Sequence, residues 1–268
     1  MSGLQRMLDD IEMEVNLTRQ LIGKDALDDR VMAAIKQVPR HKFLPADFRF
    51  LAYDNGPAPI GSGQTISQPY IVALMTDLLN AKPTDTVLEI GTGSGYQAAV
   101  LSKLVKQVYS LEIIEGLSVK ARRRLEKLGY NNVTARTGDG HFGWPEHAPF
   151  DGIIVTAATP YIPQALIDQL RQGARLVIPV GFPFSYQQLI VVEKKAGGKI
   201  ETRNILGVSF VPLTGVCDTE NTKMIDSCQI VKSYKRAMVL PILRIFSCFS
   251  SLSRTADFSL IALSKGRE

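Results

Sequence analysis

The residues best suited to bind a reactive ligand lie in Val87-Leu-Glu-Ile-Gly-Thr-Gly-Ser-Gly-Tyr96. An apolar run ends at Ile90, and Gly91, Gly93 and Gly95 then alternate ahead of a helical pattern. Glycine is needed where the backbone takes positive φ or must lie against a ligand with no Cβ in the way. In open α/β sheets, a turn of this kind at the carboxyl end of a strand is where nucleotides bind. A dinucleotide site wants G-x-G-x-x-G, and its third glycine would fall at Tyr96. The spacing here is G-x-G-x-G, with Glu89 just ahead of it. Dinucleotide sites hold a pyrophosphate at the helix N-terminus. S-adenosyl-L-methionine has no phosphate; it has a sulfonium cation and a zwitterionic amino-acid end, which suit a nearby acid. Glu89, Gly91, Thr92, Gly93 and Gly95 are therefore expected to contact that cofactor. A glycine turn with no ligand is the alternative.

Two further acids fall in register with the turn. Glu112 closes the next strand-like run, 21 residues after Gly91. A carboxylate there can accept hydrogen bonds from both ribose hydroxyls; the alternative is a solvated strand end. Asp139, in Gly138-Asp-Gly140, follows the third strand. Its carboxylate, or the backbone amide of Gly140, can read an adenine edge, while Asp-Gly is also an ordinary turn pair.

The acceptor of a methyl group can be narrowed by what the chain lacks. Methylation of base amino groups needs a polar, proline-rich turn after the fourth strand, and Asp151-Gly-Ile-Ile-Val-Thr-Ala-Ala-Thr159 has none. Carbon-5 methylation of pyrimidines needs a cysteine nucleophile, and no cysteine precedes Cys217. The three histidines, His41, His141 and His147, read as surface or packing residues. A carboxylate acceptor fits this scarcity of bases, because with a pKa of about 3.5–4 it is already ionised at neutral pH. The protein then has only to hold it in line with the methyl–sulfur bond.

Hydroxyl and backbone donors suited to that task occur in Ile60-Gly-Ser-Gly-Gln-Thr-Ile-Ser-Gln-Pro-Tyr70. With Tyr53-Asp-Asn, Leu88-Glu-Ile-Gly-Thr-Gly-Ser-Gly-Tyr96, Gly138-Asp-Gly140, Pro149-Phe-Asp151 and Val208-Ser-Phe-Val-Pro-Leu213, this stretch resembles the protein-L-isoaspartate O-methyltransferase family. The similarity runs in order from about Leu4 to Thr214, and Gln64–Pro69 is its most specific part. The resemblance implies that Ser67 is the active-site residue and orients the substrate carboxylate. It places Thr65, Ile66 and Gln68 beside the cofactor, Thr214 near it, and Ile60 and Val208 against the isoaspartyl backbone. It implies isoaspartyl proteins and peptides as substrates, repaired through an ester that closes to a succinimide. The alternative for Ser67 is a helix N-cap ahead of Pro69. Two other functions compete: methylation of a different carboxylate, and a catalytically silent cofactor-binding module acting through its tail.

These residues need a scaffold, and the pattern supplies one. Leu4, Leu8, Ile11 and Val15, then Val31, Ile35 and Val38, recur at helical spacing, so Met1–Phe50 reads as two or three short helices. From Thr86 onward, short apolar runs alternate with helical segments: strands at 86–90, 107–111, 133–136, 150–156 and 174–180, with helices between them. That rhythm predicts an α/β, Rossmann-like doubly wound sheet, mostly parallel. Runs at 188–193 and 205–213, with a Gly197-Gly198 turn between, predict an antiparallel pair at one end. The expected organisation is an N-terminal helical section over 1–58, a methyltransferase domain over 59–215 and a C-terminal extension over 216–268. In the extension, Met238, Ile242, Ile245, Phe249 and Leu252 form one helical stripe, suited to docking, dimerisation or a membrane surface.

Composition bounds the rest. The chain has 268 residues, 45% hydrophobic and 21% charged, with a formal charge of +5. Residues 217–268 hold 8 Lys/Arg and 5 Asp/Glu, which leaves the main body near neutral and argues against a nucleic-acid groove. Three cysteines, all after residue 216, are no disulfide framework. The acidic N-terminus is unlike a signal peptide, and no run approaches a membrane span. A cytoplasmic monomer is the expectation, with tail-mediated association the alternative.

Overall fold

A computed structural model describes residues 2–183 and 185–215, which belong to one compact unit. The helical stripe expected after residue 237 lies outside the described residues. The N-terminal section contains helix α1 (Gly3–Ile22) and helix α2 (Asp29–Gln37). One of the helices expected to be short is thus 20 residues long. Its length follows from its ends: the Ser2 side chain accepts the Gln5 N–H, and Gly23 stops the helix in the left-handed region. Met7, Leu8, Ile11, Val15 and Ile22 form its buried face.

Between this section and the main sheet, the loop-like stretch at 53–69 contains a small hairpin, strands β1 (Ala58–Gly61) and β2 (Gln64–Ile66). Its turn uses positive φ at Gly61, Ser62 and Gly63. Helix α3 (Pro69–Leu79) follows, with Pro69 in its first turn, where the missing N–H costs nothing. The hydroxyl of Tyr70 on α3 lies 2.5 Å from that of Thr18 on α1. Asp77, buried on α3, accepts the Asp28 N–H at 2.8 Å and pairs with Lys24.

The main sheet runs β3 (Thr86–Ile90), β4 (Gln107–Glu112), β5 (Val133–Thr137), β6 (Phe150–Val155), β7 (Leu170–Gly181), β8 (Gln187–Lys194) and β9 (Ile200–Val208). Spatial order is β5-β4-β3-β6-β7-β8-β9. The five strands from β5 to β7 are parallel, while β8 is antiparallel to both β7 and β9. Helices α4 (Tyr96–Ser102), α5 (Glu115–Lys127) and α6 (Gln164–Asp168) connect the parallel strands. The sheet is the mostly parallel α/β architecture that the pattern predicts. Strand order reverses at β3, so the glycine turn after Ile90 opens at the switch point, where such sheets bind ligands.

The last strand differs from expectation. It covers 200–208, not 205–213. Its first half, Ile-Glu-Thr-Arg-Asn, is largely exposed, so hydropathy does not mark it. The apolar residues after Val208 serve another purpose. The Gln187 side chain accepts the Phe210 N–H at 2.6 Å and donates to the Phe210 carbonyl at 3.1 Å. The chain then crosses to Ala158, whose N–H donates to Val211 and whose carbonyl accepts from Leu213. Leu213 and Thr214 are thereby carried to the end of β6, beside the glycine turn. No helix among the described residues is long and apolar enough to cross a membrane.

Candidate active site

The turn after β3 is held from two sides. The N–H groups of Gly91 and Thr92 donate to the Leu111 carbonyl at 2.8 and 3.1 Å. Thr156, just past β6, donates its hydroxyl to the carbonyls of Gly91 at 2.7 Å and Ile90 at 3.1 Å. Gly91 has φ +93°, and a Cβ there would stand 2.5 Å from the Thr156 hydroxyl oxygen. Gly93 has φ +52°, with Ile60 of the hairpin 3.3 Å from where its Cβ would be. Gly95 serves packing instead. A Cβ there would press on Leu125 and Ala121 of α5, and Gly95 lines no cavity beside the turn.

Two connected hollows flank Gly91–Gly93. One is lined by Thr65, Gly91, Gly93, Glu112, Gly140 and Thr214, with Ile113, Ile114, Leu213 and Thr156 among its other walls. The second is lined by Thr65, Ile66, Ser67, Gly91, Thr92 and Gly93, with Ser94, Tyr96, Gln97 and Thr156 behind them. The Thr65–Ser67 segment, at the end of β2, and the glycine turn therefore share one cleft, which is the juxtaposition that in-line transfer requires.

Glu112 reaches this cleft from the end of β4. One carboxylate oxygen accepts the Gly93 N–H at 2.8 Å and the other the Ile114 N–H at 3.0 Å. Each oxygen keeps a second lone-pair direction, so the group can still accept from a diol. Gly140 also lines the cleft. A Cβ there would come within 2.2 Å of the Ile90 side chain, so this backbone must stay bare. One Asp139 carboxylate oxygen accepts the His141 N–H at 2.9 Å and pairs with the His141 ring, while the other faces Gly215, where a Cβ would stand 2.3 Å from it. Gly140 lines the hollow, and Asp139 does not.

Three other expected contacts are displaced. Glu89 is fully buried beneath the turn and lines neither hollow. One of its oxygens accepts from Ser110, whose hydroxyl lies 2.5 Å from that of Thr92, and the Ala98 N–H nearby also favours the carboxylate. Burial pushes its pKa up to about 8, against the Ser110 hydrogen bond and with help from the nearby Glu112 charge. A neutral acid bracing the turn replaces the expected charge beside a sulfonium. Gln68 points the other way, donating to the Asn55 carbonyl at 3.1 Å and to Glu14 at 3.4 Å, and so ties the hairpin to α1. Val208 is half-buried in β9, paired with Gln187, and borders neither hollow. Ile60 lies against Gly93 and is buried.

The histidines are engaged elsewhere. His41 bonds the Tyr53 hydroxyl at 2.7 Å, His141 pairs with Asp139, and His147 stacks on Tyr109 at 3.9 Å. Two contributors escaped the sequence reading. Thr156 has only its place after a strand to mark it. Arg40, completely buried, donates to the Ser67 carbonyl at 2.7 Å, and nothing in its local sequence marks it as buried.

A mostly parallel sheet with a glycine turn at its switch point, and an acid closing the neighbouring strand, defines a Rossmann-like domain of the kind S-adenosylmethionine-dependent methyltransferases use. The family pattern "Protein-L-isoaspartate(D-aspartate) O-methyltransferase (PCMT)" matches residues 12–218, and the chain belongs to that family. A protein-L-isoaspartate O-methyltransferase 2 of Nitrosococcus oceani is 60% identical over 215 residues, 80% of this chain and 98% of its own. Its namesake from a Polaromonas species is 60% identical over 209 residues, 78% of this chain and 99% of its own. Among solved structures, a protein-L-isoaspartate O-methyltransferase superposes with a TM-score of 0.68 at 26% identity, over 79% of this chain and 66% of the other. A Plasmodium falciparum protein of that description, solved with S-adenosyl-L-homocysteine, shares the fold at a TM-score of 0.65 and 24% identity, over 80% and 99% of the two chains.

Proposed function

We infer that the chain is a protein carboxyl methyltransferase that moves a methyl group from S-adenosyl-L-methionine to the free α-carboxylate of L-isoaspartyl residues. The observation that carries this reading is the shared cleft: Thr65, Ile66 and Ser67 on one wall, Gly91–Gly93 on the other, and Thr156 between them. The cofactor supplies a methyl group made electrophilic by a sulfonium. Gly91, Gly93, Glu112, Gly140 and Thr214 are the residues suited to hold it, with bare backbone where a Cβ would collide. Thr65, Ile66 and Thr92 would line its reactive end.

Ser67 is the group we assign to the substrate carboxylate. The acceptor arrives ionised, so no base is required, and none of the three histidines reaches the cleft. A hydroxyl can orient the carboxylate without neutralising it, and alignment of this kind supplies up to about 7–11 kcal/mol in favourable cases. Ile60 would flank the substrate backbone, and Val208 would do so only from outside the two hollows. The ester formed is a better leaving group than the acid, and closure to a succinimide follows without further help from the protein. We also propose that residues 1–58 serve as a packed-on section of the 59–215 domain, with 216–268 as an extension. In this reading the enzyme is a cytoplasmic monomer with no nucleic-acid partner. The 23 Lys/Arg against 21 Asp/Glu in residues 1–216 support the last point.

The test is labelled methyl transfer to an isoaspartyl peptide against its aspartyl twin. Transfer to the first alone is expected. Transfer to neither, with cofactor still bound, would instead support a silent binding module, and transfer to an unrelated acid would redirect the substrate assignment. Ser67→Ala should cut kcat by about 10- to 100-fold and change cofactor affinity by less than about threefold.

A further inference from the structure

Arg40 is a cation in an unusual position. It has no accessible surface, and its Nη2 donates to the Ser67 carbonyl at 2.7 Å. Its Nε and Nη1 complete no full hydrogen bond; the Tyr96 ring lies 4.9 Å from the guanidinium, and the Tyr96 hydroxyl lies near enough to favour the charge. No carboxylate pairs with Arg40 among the described residues. Burying an arginine without an anion is costly, because its hydration is lost and little replaces it. A structural arginine would be expected to find an acid. This one lies behind Ser67 and Tyr96, both of which line the hollow beside the glycine turn. Arg124 of α5 donates to the carbonyl of Ser94, which also lines this hollow, at 2.6 Å. An arginine thus occupies the carbonyl of each of these two lining residues.

We propose that Arg40 is a positioning residue for the acceptor: it fixes the Ser67 peptide through its carbonyl, and its charge, which no carboxylate among the described residues neutralises, makes the hollow beside Ser67 favourable for the substrate carboxylate. A guanidinium one layer back attracts the anion without forming the close salt bridge that would quench its nucleophilicity. Its planar fork also fixes direction, which a lysine cannot reproduce. The proposal rests on the assignment of Ser67 to the substrate carboxylate.

The experiment compares an isoaspartyl peptide with its α-carboxamide analogue, titrated calorimetrically into protein saturated with S-adenosyl-L-homocysteine. Wild-type protein should bind the acid at least about tenfold more tightly than the amide. Arg40→Met should reduce that ratio to about threefold or less, while S-adenosyl-L-homocysteine affinity stays within about threefold. A merely structural role would weaken both peptides alike and leave the ratio unchanged, which would overturn the proposal. Loss of cofactor-product affinity with an unchanged peptide ratio would overturn it too, since the charge would then serve the cofactor. If Arg40→Met does not fold, Arg40→Lys carries the test. It should keep the acid-to-amide ratio and lower kcat by about tenfold, because charge remains while the fork is lost. A folded Arg40→Lys protein without the ratio would refute the proposal. Absence of discrimination in the wild type would refute the Ser67 assignment itself.

Discussion

The buried Glu89 gives the fold a pH dependence that can be worked out from its surroundings. Its carboxyl is fully enclosed under the glycine turn, and burial, more than any neighbour, raises its pKa from 4.5 to about 8. Between those values the unfolded chain has released this proton and the folded chain keeps it. Stability contributed by the site is therefore complete below about pH 4.5 and falls as pH rises towards 8. The slope approaches 1.4 kcal/mol per pH unit, and the whole span amounts to about 4–5 kcal/mol. Glu89→Gln keeps the shape and stays neutral at every pH, so it removes the linkage. Urea unfolding of both proteins from pH 5 to 9 isolates the effect, because other titrating groups cancel in the difference. The variant should gain on the wild type steadily with pH, and the gain should level off above about pH 8. Parallel curves would show that Glu89 ionises normally and that the neutral-brace account of the turn is wrong.

Gly91→Ala should weaken cofactor binding by about 2–3 kcal/mol, roughly 30- to 150-fold, from left-handed strain plus collision of the new Cβ with the Thr156 hydroxyl oxygen, 2.5 Å away. Adding Thr156→Ala removes the colliding oxygen and should recover affinity relative to Gly91→Ala alone; isothermal titration with S-adenosyl-L-homocysteine reads both, and no recovery would mean the clash is not the cause. Asp77→Ala, which unties Lys24 and the Asp28 N–H from α3, should cost about 2 kcal/mol and lower Tm by about 4–8 °C, with cofactor affinity retained. Equal Tm values would show that this tie contributes nothing.

The parallel sheet was legible because β3, β4 and β6 are apolar runs spaced by helical segments, and because a glycine turn can follow only certain strands. The β1–β2 hairpin was not, since four-residue and three-residue strands among Gly and Pro leave no periodic signal. The first half of β9 was missed because its side chains face solvent, and the apolar Phe210–Leu213 looked like strand when it is a crossing segment. At the site, sequence found which backbone is approached closely, as at Gly91 and Gly140, but not where long side chains point. Glu89 and Gln68 stand at expected positions and turn elsewhere, because hydrogen-bond partners 13 to 54 residues away claim their polar atoms. Arg40 was invisible for the same reason: its partner is 27 residues away.

In the proposed reaction the acceptor carboxylate needs alignment and no proton removal. Single-turnover methyl transfer to an isoaspartyl peptide, run in H₂O and in D₂O at matched pH-meter plateau, tests this directly. The predicted rate ratio is about 1, because no proton is in flight when the methyl group moves. A ratio of about 2 or more would mean that a general base works in this cleft, contradicting the account.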